Sequence, residues 1–194
     1  MEDEKYLDVS VERLRSKSYI KVTSPRNSGK TLYIKSLYLI DHIFKIYNSI
    51  LSLRFDTKDS VHGFVYSDQF IQIVFNLRDY KHIYGFGENT HHSFKHQFSY
   101  DNWWAIFGRD QPTGGKMNNL YGAHPFFMAV NDQGRAFGLL ILNSNAQEYG
   151  FLPPTSVAYR TMGGILDLYI MEEATPEALI QTYTQLIGTP YLPP

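Results

Sequence analysis

Glu88, His91, His92 and His96 lie close together in the chain, and imidazole nitrogens with a carboxylate oxygen are ligands that zinc takes. Gly87, Asn89 and Ser93 interleave them, which places the group at a strand end and loop rather than on a helix. The alternative is that the imidazoles hydrogen-bond backbone groups that a turn leaves unpaired, and no metal ligand is assigned. Asn27-Ser28-Gly29-Lys30-Thr31 imitates the end of a phosphate-binding loop, but Ser24 stands where that pattern needs glycine and β-prone sequence around Tyr33 follows it, so it reads as a turn. Gly85-Phe86-Gly87 lacks the third glycine of a dinucleotide fingerprint and no long crossover helix follows it.

The stretch Gly108 to Gly122, GRDQPTGGKMNNLYG, is different in kind. Pro112, Gly114, Gly115, Asn118 and Asn119 make it irregular, and Trp103, Trp104, Phe107, Tyr121, Phe126 and Phe127 flank it with rigid apolar surface. Loops on such scaffolds often carry binding groups. The Asp110 carboxylate can accept hydrogen bonds from vicinal hydroxyls, the apolar face of a sugar stacks on aromatic rings, and Arg109 is placed to orient the carboxylate. The other reading is a surface Arg-Asp pair of little consequence.

Positioning these groups calls for strands. Tyr 15 and Phe 13 give 15% aromatic residues, and with the β-branched content they favour sheet. Period-two or short apolar runs predict strands at Leu7–Val11, Tyr19–Val22, Phe64–Tyr66, Phe70–Leu77, Ile83–Phe86, Pro125–Val130, Ala136–Leu142, Val157–Arg160 and Ile165–Met171. Arg26–Gly29 reads as a turn, and Asn131-Asp132-Gln133-Gly134 as a hairpin connection. Two stretches look helical. Ile40–Leu51 has helical spacing of apolar residues, with a strand as the alternative. The second follows Thr175 as cap, with Pro176 at the first helical position, Glu177 in the first turn and Gly188 and Pro190 ending it. Leu179, Tyr183, Leu186 and Ile187 are expected to face the sheet. The sum is an antiparallel β-sandwich closed by a C-terminal helix.

A chain of 194 residues with net charge -1 and pI near 6.6 has no basic footprint for nucleic acid. It has no Cys, which excludes disulfides and thiolate metal sites. Its acidic, alternating start is wrong for a signal peptide. The apolar segment Leu32–Leu53 is interrupted by Lys35, Asp41, His42 and Lys45, so no membrane span is expected. Compartment stays open.

Tyr84-Gly85-Phe86-Gly87-Glu88, with Asn89-Thr90-His91-His92-Ser93-Phe94-Lys95-His96 after it, resembles the N-terminal domain of family-31 glycoside hydrolases, the α-glucosidases of the sucrase-isomaltase and maltase-glucoamylase type. Further blocks follow in that family's order: Ser67–Phe70, Phe107–Pro112, Leu120-Tyr121-Gly122, Leu142–Ala146, Tyr159-Arg160-Thr161 and Gly163–Asp167. Together they cover roughly residues 64 to 194, and linked blocks are more specific than any one motif.

The resemblance implies a sandwich of the galactose-mutarotase type over residues 1–174, with 31–55 atypical of the family. Residues 175–194 would form a helix and a linker toward a (β/α)8 barrel absent from this sequence. The retaining reaction needs two carboxyl groups about 5 to 5.5 Å apart; in the family both belong to the barrel, so no catalytic residue is assigned here. One role carries over: the family's Arg-Asp loop reaches over the barrel mouth, and its aspartate, here Asp110, binds the substrate. The implied partners are an α-glucoside oligosaccharide and the barrel, with no cofactor. The chain alone is expected to be inactive. Two alternatives stand beside this: a stand-alone carbohydrate-binding or structural module, and a mutarotase using Glu88 with the histidines on a concave sheet face.

Overall fold

The computed structural model describes residues 8–14, 17–23, 65–67, 69–77, 79–114, 118–164 and 167–193. The expected helix at Ile40–Leu51, the turns at Arg26–Gly29 and Asn27–Thr31 and the atypical segment 31–55 lie outside them. Eleven strands and one helix are formed by the described residues: β1 (Asp8–Leu14), β2 (Lys17–Thr23), β3 (Val65–Ser67), β4 (Phe70–Asn76), β5 (Tyr80–Asn89), β6 (Trp103–Ile106), β7 (Asn119–Asn131), β8 (Ala136–Ile141), β9 (Gln147–Leu152), β10 (Ser156–Thr161), β11 (Asp167–Glu173) and α1 (Pro176–Ile187). They build two sheets, ordered β1-β2-β11-β8-β7-β5 and β3-β4-β10-β9-β6, with antiparallel neighbours throughout. The expected sandwich with a C-terminal helix is therefore what the chain adopts.

Side chains alternate across the first sheet because successive Cβ atoms of a strand point to opposite faces. Phe127, Phe137, Leu139, Ile141, Leu168 and Ile170 face the second sheet and join Ile73, Phe75, Tyr149, Phe151 and Tyr159 in the main core. Phe126, Ala136, Leu140, Tyr169 and Met171 face outward, where Leu179 and Tyr183 of α1 cover them. Covering both faces is why Ala136–Ile141 is buried at every position and reads as a continuous apolar run rather than an alternating one. Gly138 lets the helix sit close: a Cβ there would stand 3.1 Å from Leu179 and 3.0 Å from the Phe126 ring.

The helix ends follow the sequence signals. The Thr175 hydroxyl accepts from the Ala178 N–H at 3.2 Å, Pro176 starts the helix, and Gly188, at φ +92°, donates its N–H to Thr184 O at 2.9 Å. Leu179 and Tyr183 are buried and Leu186 packs beside them. Ile187 does not join them and is 53% exposed. At about 100° per residue it lies roughly 80° round from Leu179, off the stripe that Thr182, Leu179 and Tyr183 define. The Asn131–Gly134 turn connects β7 to β8 as expected, with Gly134 at φ +81°.

β6 and β9 have no counterpart among the predicted strands, and each explains the other. Trp103 pairs with Gly150 across the ladder, and a Cβ on Gly150 would meet the Trp103 ring at 3.2 Å. The glycine that looks like a breaker is the gap into which the indole packs.

Candidate functional site

The Asp110 loop leaves β6 and returns as β7, and the end of β5 holds its two stems. β5 bulges before it gets there: its pairing with β7 shifts register between Gly85 and Gly87 and again between Gly87 and Asn89. Gly85 has φ +99° and Phe86 φ +50°, and a bulge of this kind re-aims the residues beyond it. The Phe86 ring turns into the core, 4.5 Å from Tyr149 and 5.1 Å from Phe127 between centroids. His96 Nε2 lies 2.6 Å from Gly85 O; a carbonyl only accepts, so this nitrogen carries the proton and closes the bulge.

Beyond the bulge, Glu88, Asn89 and Thr90 each bind a stem. The Glu88 carboxylate accepts the Gly122 N–H at 2.8 Å. Asn89 Nδ2 donates to Ala105 O at 2.9 Å and to Asn119 Oδ1 at 3.3 Å, while Asn119 Nδ2 donates to Phe107 O at 2.7 Å. Thr90 and Asn118 exchange backbone and hydroxyl bonds, Thr90 N–H to Asn118 O at 2.9 Å and Asn118 N–H to Thr90 Oγ1 at 2.8 Å. Across the stems, Arg109 N–H donates to Leu120 O at 2.9 Å.

From this base the loop carries Arg109 and Asp110 with exposed side chains. Among the described residues neither forms an ion pair, so Arg109 does not orient the carboxylate as its adjacency suggests. Neighbours along a loop point apart unless a turn folds them together; the Gln111 N–H to Arg109 O bond at 2.8 Å tightens the backbone here without bringing the two side chains into contact. The flanking aromatics divide. Phe126 and Phe127 are buried, whereas Phe107 and Tyr121, at the stems, are 42% and 58% exposed.

The histidines are not gathered with Glu88. His91, His92 and His96 line a cleft of about 160 Å³ with Lys95, Asn102 and Trp104, and Glu88 is not among its walls. His91 stacks on Trp104 with centroids 3.8 Å apart and meets the Tyr149 hydroxyl at 3.0 Å. Among the described residues no three His, Asp or Glu side chains are arranged to hold a metal ion, and the Glu88 carboxylate, which the mutarotase alternative would use with these imidazoles, accepts the Gly122 N–H. Burial, and secondarily the charges of His96 and His92, pull the His91 pKa down to about 4. Burial also lowers His96 and His124.

These depressed values set a pH dependence. Below its ordinary value near 6.5 the unfolded chain takes up protons on these histidines that the folded chain refuses, so stability is full above that pH and falls toward pH 4. Thermal melts at pH 7, 6 and 5 are expected to give a steadily decreasing Tm, with a shallower slope in His91→Asn; a Tm independent of pH over that range would contradict the burial of these imidazoles.

Three other described acids serve the scaffold. Asp132 pairs with Lys81 at 3.1 Å and His82 at 3.2 Å, Glu172 with Arg135 at 2.8 Å, and Glu148 with Arg160 at 3.0 Å. Arg160 also lies 3.6 Å over the Trp103 ring. No helix among the described residues is long and apolar enough to cross a membrane.

The family described as the glycosyl hydrolase 31 N-terminal galactose mutarotase-like domain matches residues 7–149. Intestinal sucrase-isomaltase of Oryctolagus cuniculus is 48% identical over 132 residues, 68% of this chain and 7% of that protein. Lysosomal alpha-glucosidase of Mus musculus is 38% identical over 132 residues, 66% of this chain and 13% of that protein. The chain thus spans a small part of the length of these relatives. A Flavobacterium johnsoniae GH31 dextranase complexed with glucose shares the fold, with a TM-score of 0.61 at 21% identity over 96% of this chain and 21% of that one.

Proposed function

The chain belongs to the glycosyl hydrolase 31 N-terminal galactose mutarotase-like domain family, and from that premise we propose that it is the substrate-shaping N-terminal domain of an α-glucosidase. Its substrates would be α-linked gluco-oligosaccharides attacked at the non-reducing end. Asp110 contacts the sugar, and the two carboxyl groups of the retaining reaction lie in a (β/α)8 barrel outside these residues. The observation that carries this reading is the contrast within one loop: both stems are fixed by hydrogen bonds to β5, while the Asp110 carboxylate, one residue beyond the cross-stem bond at Arg109, is exposed with no ion-pair partner among the described residues.

Chemically, an ionised carboxylate on such a loop accepts hydrogen bonds from two adjacent hydroxyls of a pyranose, a bidentate pattern that discriminates ring orientation. Phe107 and Tyr121, the two exposed rings at the stems, offer apolar faces to the C–H side of the same sugar. Phe126 and Phe127 cannot, because the core holds them. One wall of a pocket is what these groups make, and a wall alone binds weakly since it leaves most of a ligand in water.

Two measurements on the 194-residue chain test this. With p-nitrophenyl α-glucoside, no turnover above background is expected; turnover that survives rigorous purification would place the chemistry inside these residues. With maltotriose titrated by NMR or calorimetry, little or no binding is expected. Saturable binding abolished by Asp110→Ala would instead make the chain a carbohydrate-binding module in its own right.

A further inference from the structure

We propose that Asn89 is the positioning residue of the Asp110 loop, locking its stems to the sandwich core through a hydrogen-bond relay that runs in one direction from His91 to the Phe107 carbonyl. The functional meaning of the relay rests on Asp110 being the sugar contact; its existence does not.

The direction follows from which groups can only accept. Phe107 O and Ala105 O are carbonyls, so the atoms facing them at 2.7 and 2.9 Å must be the amide nitrogens of Asn119 and Asn89. That orients both side chains. Asn119 then presents Oδ1 to Asn89 Nδ2 at 3.3 Å, and Asn89 presents Oδ1 to the Tyr149 hydroxyl at 3.1 Å. Because Asn89 Oδ1 only accepts, the tyrosine donates its proton there, and its oxygen is left to accept from His91 Nε2–H at 3.0 Å. Each member therefore has one assignment of donor and acceptor.

Asn89 is the residue where this relay divides. Its nitrogen supplies two donors, one to the outgoing stem through Ala105 O and one to the returning stem through Asn119. Its oxygen is tied to Tyr149, a fully buried ring packed against Phe86 and Phe151. Only a side chain with both amide atoms at this reach satisfies all three neighbours. Aspartate is nearly the same shape but places an acceptor against two acceptors, which inverts the donor pattern without creating a cavity. A protonated Asp regains one donor.

The experiment compares wild type, Asn89→Asp and Asn89→Ala in the 194-residue chain by NMR amide exchange and backbone relaxation. At pH 7 the stem amides of Thr90, Arg109 and Asn118 are expected to exchange about tenfold faster or more in both variants, from the loss of two donors. Order parameters at Arg109 and Asp110 should fall, while amides of Leu139 and Ile141 keep their wild-type protection. At pH 5, Asn89→Asp should recover part of the stem protection and Asn89→Ala should not, a difference that general destabilisation does not produce. Stem amides as protected as in wild type, stem and core amides accelerated in step, or no difference in pH response between the two variants would each overturn the proposal. Since no sugar is present, failure here would leave the reading of Asp110 to the maltotriose and turnover experiments.

Discussion

Gly85→Ala is expected to lower the stability of the chain by about 2 to 5 kcal/mol, from two separate causes that add. An L-residue in the left-handed region costs about 1 to 2 kcal/mol, and Gly85 sits at φ +99°. A Cβ built there would stand 2.7 Å from Phe126 O and 3.0 Å from Phe127 Cα. Both are backbone atoms of the paired strand β7, which cannot swing aside as a side-chain tip can, and forcing such a contact costs about 1 to 3 kcal/mol. For a chain of this size Tm should fall by roughly 4 to 20 °C. Gly134→Ala is the matched comparison: φ is +81° but nothing lies within 4 Å of its Cβ position, so only the conformational cost applies, about 1 to 2 kcal/mol. Equal Tm losses in the two variants would mean that the strands do not approach as closely at Gly85 as the bulge requires.

The effect should reach the loop as well as the melting temperature. Straightening β5 at Gly85 would shift its alternation by one residue, and a shift of one exchanges the faces of every side chain beyond it. Glu88 and Asn89 would then no longer meet Gly122 and Asn119, the partners they bind across the bulge.

How much of this the sequence discloses differs element by element. The hairpin at Asn131–Gly134 and the helix between Thr175 and Gly188 are legible because their signals are local: turn residues, a cap, a proline and a terminal glycine, each acting within a few positions. β5 and β7 read as shorter than they are: Gly87 ends the predicted run of β5, and Gly122 lies ahead of that of β7, where its missing Cβ leaves room for the Glu88 carboxylate. β9 hides for a related reason. Gly150 within it makes sense only once Trp103 of β6 is known to lie over it. Ile187 shows the reverse error, an apolar residue assigned to a face that the helical angle takes it past.

The site divides in the same way. Asp110 stands out through its family resemblance, because an exposed Arg-Asp pair carries no periodicity that could mark it. The supports of its loop are not legible at all. Asn89 bonds residues 16, 30 and 60 positions away, and nothing in the types of Asn89, Asn119 and Tyr149 says that a fold will bring them together. His91 and His96 suggest ligands by spacing, yet the fold gives them hydrogen-bonding and packing work against Tyr149, Trp104 and the Gly85 carbonyl.

The most direct measurement puts the chain where a barrel is available. Substituted for the segment it matches in the Oryctolagus cuniculus sucrase-isomaltase, the chain and its Asp110→Ala variant would be compared for kcat/KM on maltose. Removing a charged acceptor from sugar hydroxyls costs about 1.5 to 3 kcal/mol, so kcat/KM is predicted to fall by roughly 10- to 150-fold. Amide exchange in the loop stems should stay unchanged. A variant within twofold of the parent, with the barrel active in both, would contradict the claim that this domain lends Asp110 to the substrate pocket.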